Sequence, residues 1–467
     1  MELIGKQFLG LAAVLWLAGC AVQRYTPAPI APGTSASRFE SRRLADPGLQ
    51  SFEENNLGRP LPPWPPQSWD LQTLSLAAMY FNPVLELPRA RMATAHAGIT
   101  TAGARPNPTF DLVPGIPSPY LLTQDILVMI ETAGKRKRRV QAAQSLDEAA
   151  RLDLADSAWT VIIGVRQALL NYLVAARGME LLRSEEKLRE DQVAILETIL
   201  AAGEITRLNV DPARIDLSRT QVGIRTAEGQ AADAMAALAA AIGVPLAAVE
   251  GVTFSWPEMD RPPAPESLSL EQVRREAVVN RMDIRRSLAQ YAAAEGNLRS
   301  EIAKKYPNFT IGPGYTFEER HSFFTVGFST SLPIFNRNEG PIAEAEGRRR
   351  EAAAMFLQTQ AQAIQRSERA FAAYTAGLKE VSAAQSLYEL QQSQMQAVQR
   401  TIRAGADYRL SLDAVEIQVS VLARARLDAL ARAQAALGNL EDVAQRPLAA
   451  GEAFPAPESP VIGIENR

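Results

Sequence analysis

Two long periodic stretches dominate the pattern of apolar and polar positions. Lys135 to Ala202 runs without proline, and Leu181, Leu188 and Ile195 recur at sevens. Pro341 to Ala404 behaves alike, with Ile364, Phe371 and Leu378 at sevens. That spacing keeps apolar residues on one side of a helix and suits coiled-coil packing. At 1.5 Å per residue each helix would reach roughly 100 Å. Gly203 and Gly405 break the two stretches, and further helices are predicted from Arg207 to Ile242 and on to about Val443. Helical patterns also precede them, from Leu71 to Arg105, where Pro83 and Pro88 break or kink the first part, and from Leu268 to Lys305. In each set the two shorter helices together nearly match the long one, so they could stack end to end beside it.

Between the first and second helix of each set the period changes to two. Phe309, Ile311, Tyr315 and Phe317 alternate with threonine and glycine. Phe324, Val326, Phe328 and Leu332 alternate with Thr325, Gly327, Ser329 and Ser331. This predicts strands over 307–317 and 323–332 with an aromatic-rich apolar face and a small polar face. Transmembrane β-barrel strands have that pattern, and about ten residues cross a bilayer when tilted. The earlier pair, 108–113 and 121–130, flanks the turn at Pro114-Gly115-Ile116-Pro117. Phe110 and Leu112 face one way there and Ile126, Val128 and Ile130 are compatible with it, but Leu127 and Met129 spoil the alternation. A soluble hairpin packed on a helix is the alternative reading of these strands.

The order helix, strand pair, long helix, helix occurs twice because the chain is duplicated. Residues 78–110 align without a gap on 277–309, and Gly203, Leu208, Asp211, Ile215 and Ser218 match Gly405, Leu410, Asp413, Ile417 and Ser420. A repeat this long dictates architecture. The expected organisation is a signal segment over 1–19, a Pro-rich extended strap over 20–70, repeats over 71–250 and 251–445, and an irregular tail over 446–467. The fold class is mainly α with a small transmembrane β part. Trp64 and Trp69 should dock the far end of the strap.

Two copies supply four strands, which cannot close a barrel, and open strand edges are not tolerated in lipid. The smallest bacterial barrels have eight strands. The strands must therefore pair between chains; three chains would make twelve, although the pattern alone does not set that number.

Composition removes several function classes. A net charge of -3 carries no polyanion-binding signature, so nucleic acid is not an expected partner. No Gly-rich phosphate loop, nucleophile elbow or histidine–carboxylate constellation is present, which argues against an enzyme and against a cofactor. The two histidines, His96 and His321, lack further ligands at metal spacing. The apolar run from Phe8 to Leu17 is too short to span a bilayer and fits a signal peptide. It leads into Leu17-Ala18-Gly19-Cys20, which resembles a bacterial lipobox with Cys20 as the lipidated residue. Cys20 is the single cysteine of the chain, so no intrachain disulfide is available. Ala21 after it resembles the sorting pattern for outer-membrane delivery.

Over nearly its whole mature length the chain resembles the TolC-type outer membrane factor family. The resemblance is carried by the lipobox, by Tyr25 and Pro27, by Asn82-Pro83-Val84-Leu85 and by Ala104-Arg105-Pro106-Asn107-Pro108-Thr109-Phe110. The second copy contributes Arg281-Met282-Asp283-Ile284, Tyr306-Pro307-Asn308-Phe309 and Ser331-Leu332-Pro333-Ile334-Phe335-Asn336. It implies a homotrimer with a twelve-stranded outer-membrane β-barrel and a long periplasmic α-barrel. It also implies a passive exit duct of a tripartite efflux system, docked on a periplasmic adaptor and an inner-membrane pump, usually of the resistance-nodulation-division type. Ala202, Gly203, Glu204, Ile205 and Thr206, with Ala404, Gly405, Ala406 and Asp407, correspond to the tips that meet the adaptor. Asp413, then Asp407, correspond to the acidic narrowing of the closed tip, where a three-fold ring of carboxylates would attract cations. An ion pair of Asp413 with Arg409 is the alternative. Glu131-Thr132-Ala133-Gly134-Lys135-Arg136 resembles the strand exit of metal-efflux members, although Lys135 to Arg139 also reads as a basic girdle at a lipid surface. A type I secretion duct and a poreless coiled-coil lipoprotein are the competing functions; the amphipathic strands argue against the latter.

Overall fold

The computed structural model describes residues 25–115, 121–264, 268–405 and 409–448, with the side chain of Arg409 left out. The signal segment, Cys20, Ala406, Asp407 and the end of the tail lie outside the described residues. The first unit ends at Arg42, and its described residues include α1 (Pro32–Glu40). The second unit begins at Arg43.

The strap is not extended throughout. Besides α1 it contains α2 (Pro47–Leu57). Proline lacks only a hydrogen that the first helical turn leaves unpaired anyway, and its φ already suits a helix, so Pro32 and Pro47 start helices instead of preventing them. Asp46 caps α2 by accepting from the backbone of Gly48 at 2.6 Å. The strap's far end docks as expected. Trp69 is buried, its amide donates to Thr253 O at 2.9 Å, and Ser255 N donates back to Trp69 O at 3.0 Å. Trp64 meets Trp69 edge-on at 5.6 Å.

The first repeat comprises α3 (Leu71–Phe81), a 3-10 turn at Pro83–Leu85, α4 (Glu86–Gly103), β1 (Thr109–Pro114), β2 (Leu121–Ile130), α5 (Lys135–Ala201) and α6 (Arg207–Ile242). The second comprises α7 (Leu270–Asn280), α8 (Met282–Ala303), β3 (Phe309–Glu318), β4 (His321–Thr330), α9 (Glu339–Arg403) and α10 (Arg409–Ala444). The long helices have 67 and 65 residues and α6 and α10 both have 36, so divergence has hardly touched the lengths of these four helices.

One expected helix, Leu268 to Lys305, is two. It breaks at Arg281, whose ψ of 129° is extended, with no proline or glycine to mark the place. Groups from the far end of the repeat, two carbonyls and one side-chain amide, hold the break open. Arg281 donates to the carbonyls of Asp442 and Val443 at 3.3 and 3.2 Å, and Met282 N donates to Gln445 Oε1 at 2.5 Å. The first repeat breaks at the aligned residue, Asn82, whose Nδ2 donates to Ala241 O at 2.8 Å. Each return helix thus meets the segment that leads into the strands, as the summed helix lengths predict.

Packing order is the same at every level of the second unit. The strands form one antiparallel sheet in the order β1-β2-β3-β4. Next to them the helices pack as α4-α5-α8-α9, and toward the tips as α6-α5-α10-α9. The main core lies midway along the helices, where Leu74, Leu76 and Met79 of α3 meet Ile162, Val165 and Leu169 of α5, Leu238 of α6 and Trp256. Burying each such side chain contributes about 1.5–3 kcal/mol. A second cluster joins α7, α9 and α10 through Val273, Tyr374, Leu437 and Leu440.

Candidate functional site

The sheet register settles which strand residues share a face. Directly paired residues point the same way, and Phe110 pairs with Ile126, Val128 with Ile311, Ile130 with Phe309, Ile311 with Phe328 and Tyr315 with Phe324. One face therefore carries Phe110 and Leu112 of β1, Ile126, Val128 and Ile130 of β2, Phe309, Ile311, Tyr315 and Phe317 of β3, and Phe324, Val326 and Phe328 of β4. Phe324 is 87% exposed and Val326 76%, so nothing among the described residues covers this face at β4. Leu332 does not belong to the strand, which ends at Thr330, but it stays exposed along the exit with Ile334 and Phe335.

The opposite face carries Asp111, Thr123, Asp125, Thr310, Gly312, Gly314, Thr316, Thr325, Gly327 and Ser329. Val113, Leu121, Leu127, Met129 and Phe323 are on it too, and Leu127 lies in the space the glycines leave: a Cβ at Gly327 would stand 3.5 Å from Leu127 Cδ2. Asp111 and Asp125 are cross-strand partners. Like charges directly opposite are unfavourable unless water or counter-ions screen them, which marks this face as the wet one. The alternation in β3 and β4 points to this face from sequence alone. Locating the aspartate pair needs the register.

At the base of the strands the basic run has several jobs. Lys135 is buried and its Nζ donates to Tyr306 O at 2.6 Å and to Asn308 Oδ1. Burial pushes its ammonium below the usual lysine range. Arg136 donates to Gly103 O at 2.6 Å and Arg139 to Ala102 O at 3.3 Å, so both cap the C-terminus of α4, where carbonyls and the helix dipole favour cations. Arg139 is also hydrogen-bonded to Glu131, which holds that carboxyl below its ordinary range. Lys137 remains exposed. Among the described residues no group of histidine, cysteine, aspartate and glutamate side chains is arranged to hold a metal ion.

The tips are sharp reversals. Gly203 (φ 78°) and Gly405 (φ 97°) take left-handed backbone that a side chain would strain. Thr206 opens α6 with a capping box, donating its hydroxyl to Asn209 Oδ1 at 2.9 Å. Ala202, Gly203, Glu204, Thr206, Ala404 and Gly405 are exposed, and Ile205 is half-buried. Asp413 is buried within the chain at 7% exposure, whereas its repeat partner Asp211 is exposed and lies 3.8 Å from Arg214.

The duplicated helix-strand-helix order, the wet and apolar faces of one sheet and the paired tips coincide with a family match. Residues 79–244 fit the family described as outer membrane efflux protein. Over that segment the chain is similar to the outer membrane efflux proteins. It is 26% identical over 280 residues to the cobalt-zinc-cadmium resistance protein CzcC of Cupriavidus metallidurans, a match covering 58% of this chain and 64% of CzcC. It is 26% identical over 212 residues to the pyoverdine export outer membrane protein OpmQ of Pseudomonas aeruginosa, covering 44% of this chain and 43% of OpmQ. The matches thus span less than two thirds of either relative. Its fold is similar to the crystal structure of VceC of Vibrio cholerae, with a TM-score of 0.63 at 19% identity over 81% of this chain and 96% of VceC. It is also similar to the open-state MtrE channel of Neisseria gonorrhoeae, with a TM-score of 0.64 at 18% identity over 81% of this chain and 89% of MtrE.

Proposed function

We propose that this protein is an outer-membrane exit duct of a tripartite efflux system, a homotrimer whose twelve strands close one barrel. One observation carries the reading: a four-stranded sheet with an uncovered aromatic face and a wet face bearing Asp111 and Asp125. Closing it with copies of itself turns the apolar face to lipid and the wet face to a lumen, and removes both open edges. Phe309, Ile311, Tyr315, Phe317, Phe324, Val326 and Phe328 then face lipid, Leu332 lies at the interface below, and Cys20 adds a lipid anchor. The duct is passive, with energy supplied by an inner-membrane pump through a periplasmic adaptor. The exposed tip residues around Gly203 and Gly405 are the docking points for that adaptor, and Asp413 is the gating candidate.

In detergent the purified protein should have the mass of a trimer, and it should add discrete ion conductance to planar bilayers. A monomer without conductance would overturn the duct. Gly203→Cys and Gly405→Cys should each crosslink to an adaptor co-expressed from the same envelope; the docking assignment fails if neither does while a control pair reacts. A second reading concerns cargo. The first relative is named for cobalt, zinc and cadmium resistance, and Glu131 to Arg136 resembles the strand exit of metal-efflux members. If metal cations are the cargo, deleting the gene should sensitise cells to those metals and leave sensitivity to organic compounds unchanged.

A further inference from the structure

We propose that the four strand–helix junctions of each chain form a cationic collar that binds anionic phospholipid headgroups of the periplasmic leaflet, through Arg105, Lys137, Lys305 and Arg337, one from each junction. It rests on the duct reading above, which turns the apolar face of the sheet to lipid.

Hydrogen bonds hold the junctions at one level. The first, between α4 and β1, meets the second, between β2 and α5, where Arg136 Nε donates to Gly103 O at 2.6 Å. The second meets the third, between α8 and β3, where Thr132 Oγ1 donates to Pro307 O at 2.7 Å and Lys135 Nζ to Tyr306 O at 2.6 Å. The third meets the fourth, between β4 and α9, where Asn338 Nδ2 donates to Glu301 O at 2.8 Å. Whatever charge the junctions carry is therefore gathered into one band at the base of the strands.

That charge is positive. Most of the basic run after β2 is used within the chain: Lys135 is buried, and Arg136, Arg138 and Arg139 each donate to a backbone carbonyl. Lys304 is paired with Glu301 at 2.6 Å. One further cation stands at each junction, and Arg105, Lys137, Lys305 and Arg337 are all exposed with no side-chain hydrogen bond or ion pair among the described residues. Carboxylates do not offset them. Glu131 is held by Arg139, and Glu301 by Lys304 and Asn338; Glu339 sits in the first turn of α9, where the helix dipole favours it. The copies reach this pattern by different residues. The alignment sets Arg105 against Lys304, which is paired, and the free cation is the next residue, Lys305.

The surroundings fit a lipid. Each free cation lies within nine residues of the nearest apolar-face residue of its strand, Phe110, Ile130, Phe309 or Phe328. Tyr306 and Phe335, at the third and fourth junctions, are exposed beside the cations. Aromatic rings settle at the headgroup level of a membrane, and long Lys and Arg side chains lay their stems along apolar surface while the charged heads reach phosphate. Continuity with the lipid-facing surface and opposite charge together select an anionic phospholipid over a protein partner.

The test uses the full-length protein reconstituted in phosphatidylcholine vesicles that carry a trace of spin-labelled phosphatidylglycerol or of spin-labelled phosphatidylcholine. The motionally restricted fraction of each label reports how strongly each lipid associates. Phosphatidylglycerol should be favoured by about fivefold at low salt, the factor expected from one cation per headgroup, and less at high salt. Arg105→Gln, Lys137→Gln, Lys305→Gln and Arg337→Gln combined should abolish the preference. The exchange variant, Arg105→Lys, Lys137→Arg, Lys305→Arg and Arg337→Lys combined, should keep it. If the two variants behave alike, the collar assignment fails. A conducting homo-oligomer that holds both lipids equally overturns the collar and leaves the duct reading intact. A monomer without conductance overturns both.

Discussion

Where each return helix meets the segment leading to the strands, the two repeats use opposite chemistry. The first junction is small and apolar: Ala239 is buried near the end of α6, Asn82 supplies one hydrogen bond, and Gly243 follows with φ 88°. The second is charged. Glu441 stands at the position of Ala239, Arg281 at that of Asn82 and Gln445 at that of Gly243. Glu441 pairs with Arg166 at 2.8 Å, both almost without exposure, while Arg166 also donates to Gln434 O and stacks over Trp256 at 4.7 Å. Arg281 pairs with Asp283 at 2.7 Å, and Gln445 Nε2 donates to Asp156 Oδ1 at 2.9 Å. Equivalent backbone geometry is thus reached by close approach in one copy and by a polar network in the other.

The strongest way to break this contrast is Arg166→Met, which leaves Glu441 buried without its guanidinium. It should cost about 3–5 kcal/mol, read from the denaturant midpoint in detergent. Ala239→Glu would test the converse by putting a carboxylate into the apolar core, and it should be about as harmful.

Gly243→Val should cost about 3 kcal/mol. A Cβ there would stand 2.7 Å from Asn82 Cα, and the positive φ adds strain. Gln445, with φ 49°, already carries a side chain at the same place, so Gln445→Ala should lose only its hydrogen bonds, about 1–2 kcal/mol.

Arg281→Ala should cost about 2–4 kcal/mol and Asn82→Ala about 1 kcal/mol, a ratio that measures how far the second junction depends on charge. Only the first of these should depend on pH. Burial pushes the carboxyls of Asp442 and Asp156 up, and nearby arginines hold them down. Without Arg281 they would prefer the proton more strongly, so the loss should be larger at pH 8 than at pH 5.

A further contrast concerns α2, which precedes the first repeat and has no counterpart before the second among the described residues. Glu53 is fully buried with both carboxylate oxygens unpaired, and burial, with Asp70 nearby, pushes it up to about 8. Its folded value lies above its unfolded one, so the protonated carboxyl favours the fold below pH 4.5, and that contribution falls as pH rises through 8. Glu53→Met should flatten the decline between those limits, which the shift bounds at about 5 kcal/mol, seen as a smaller drop in melting temperature from pH 5 to pH 8.

What the sequence by itself determined is whatever depends on local periodicity: the long helices, the alternating strands, the glycine reversals and the duplication. A period of 3.6 or 2 sorts side chains to faces before any tertiary contact forms. Alignment of the copies also held an unused clue, since the Asn82 break lies opposite Arg281. Prolines misled the reading of the strap because the same residue that stops a helix inside also starts one at its first turn. Tertiary structure alone decided that Asp413 is buried while Asp211 is exposed, that Asp111 meets Asp125, and that α5–α10 is closed within a chain while α6 and α9 stay open. Those outcomes join residues far apart in the chain, and only the packed order of helices and strands brings them face to face.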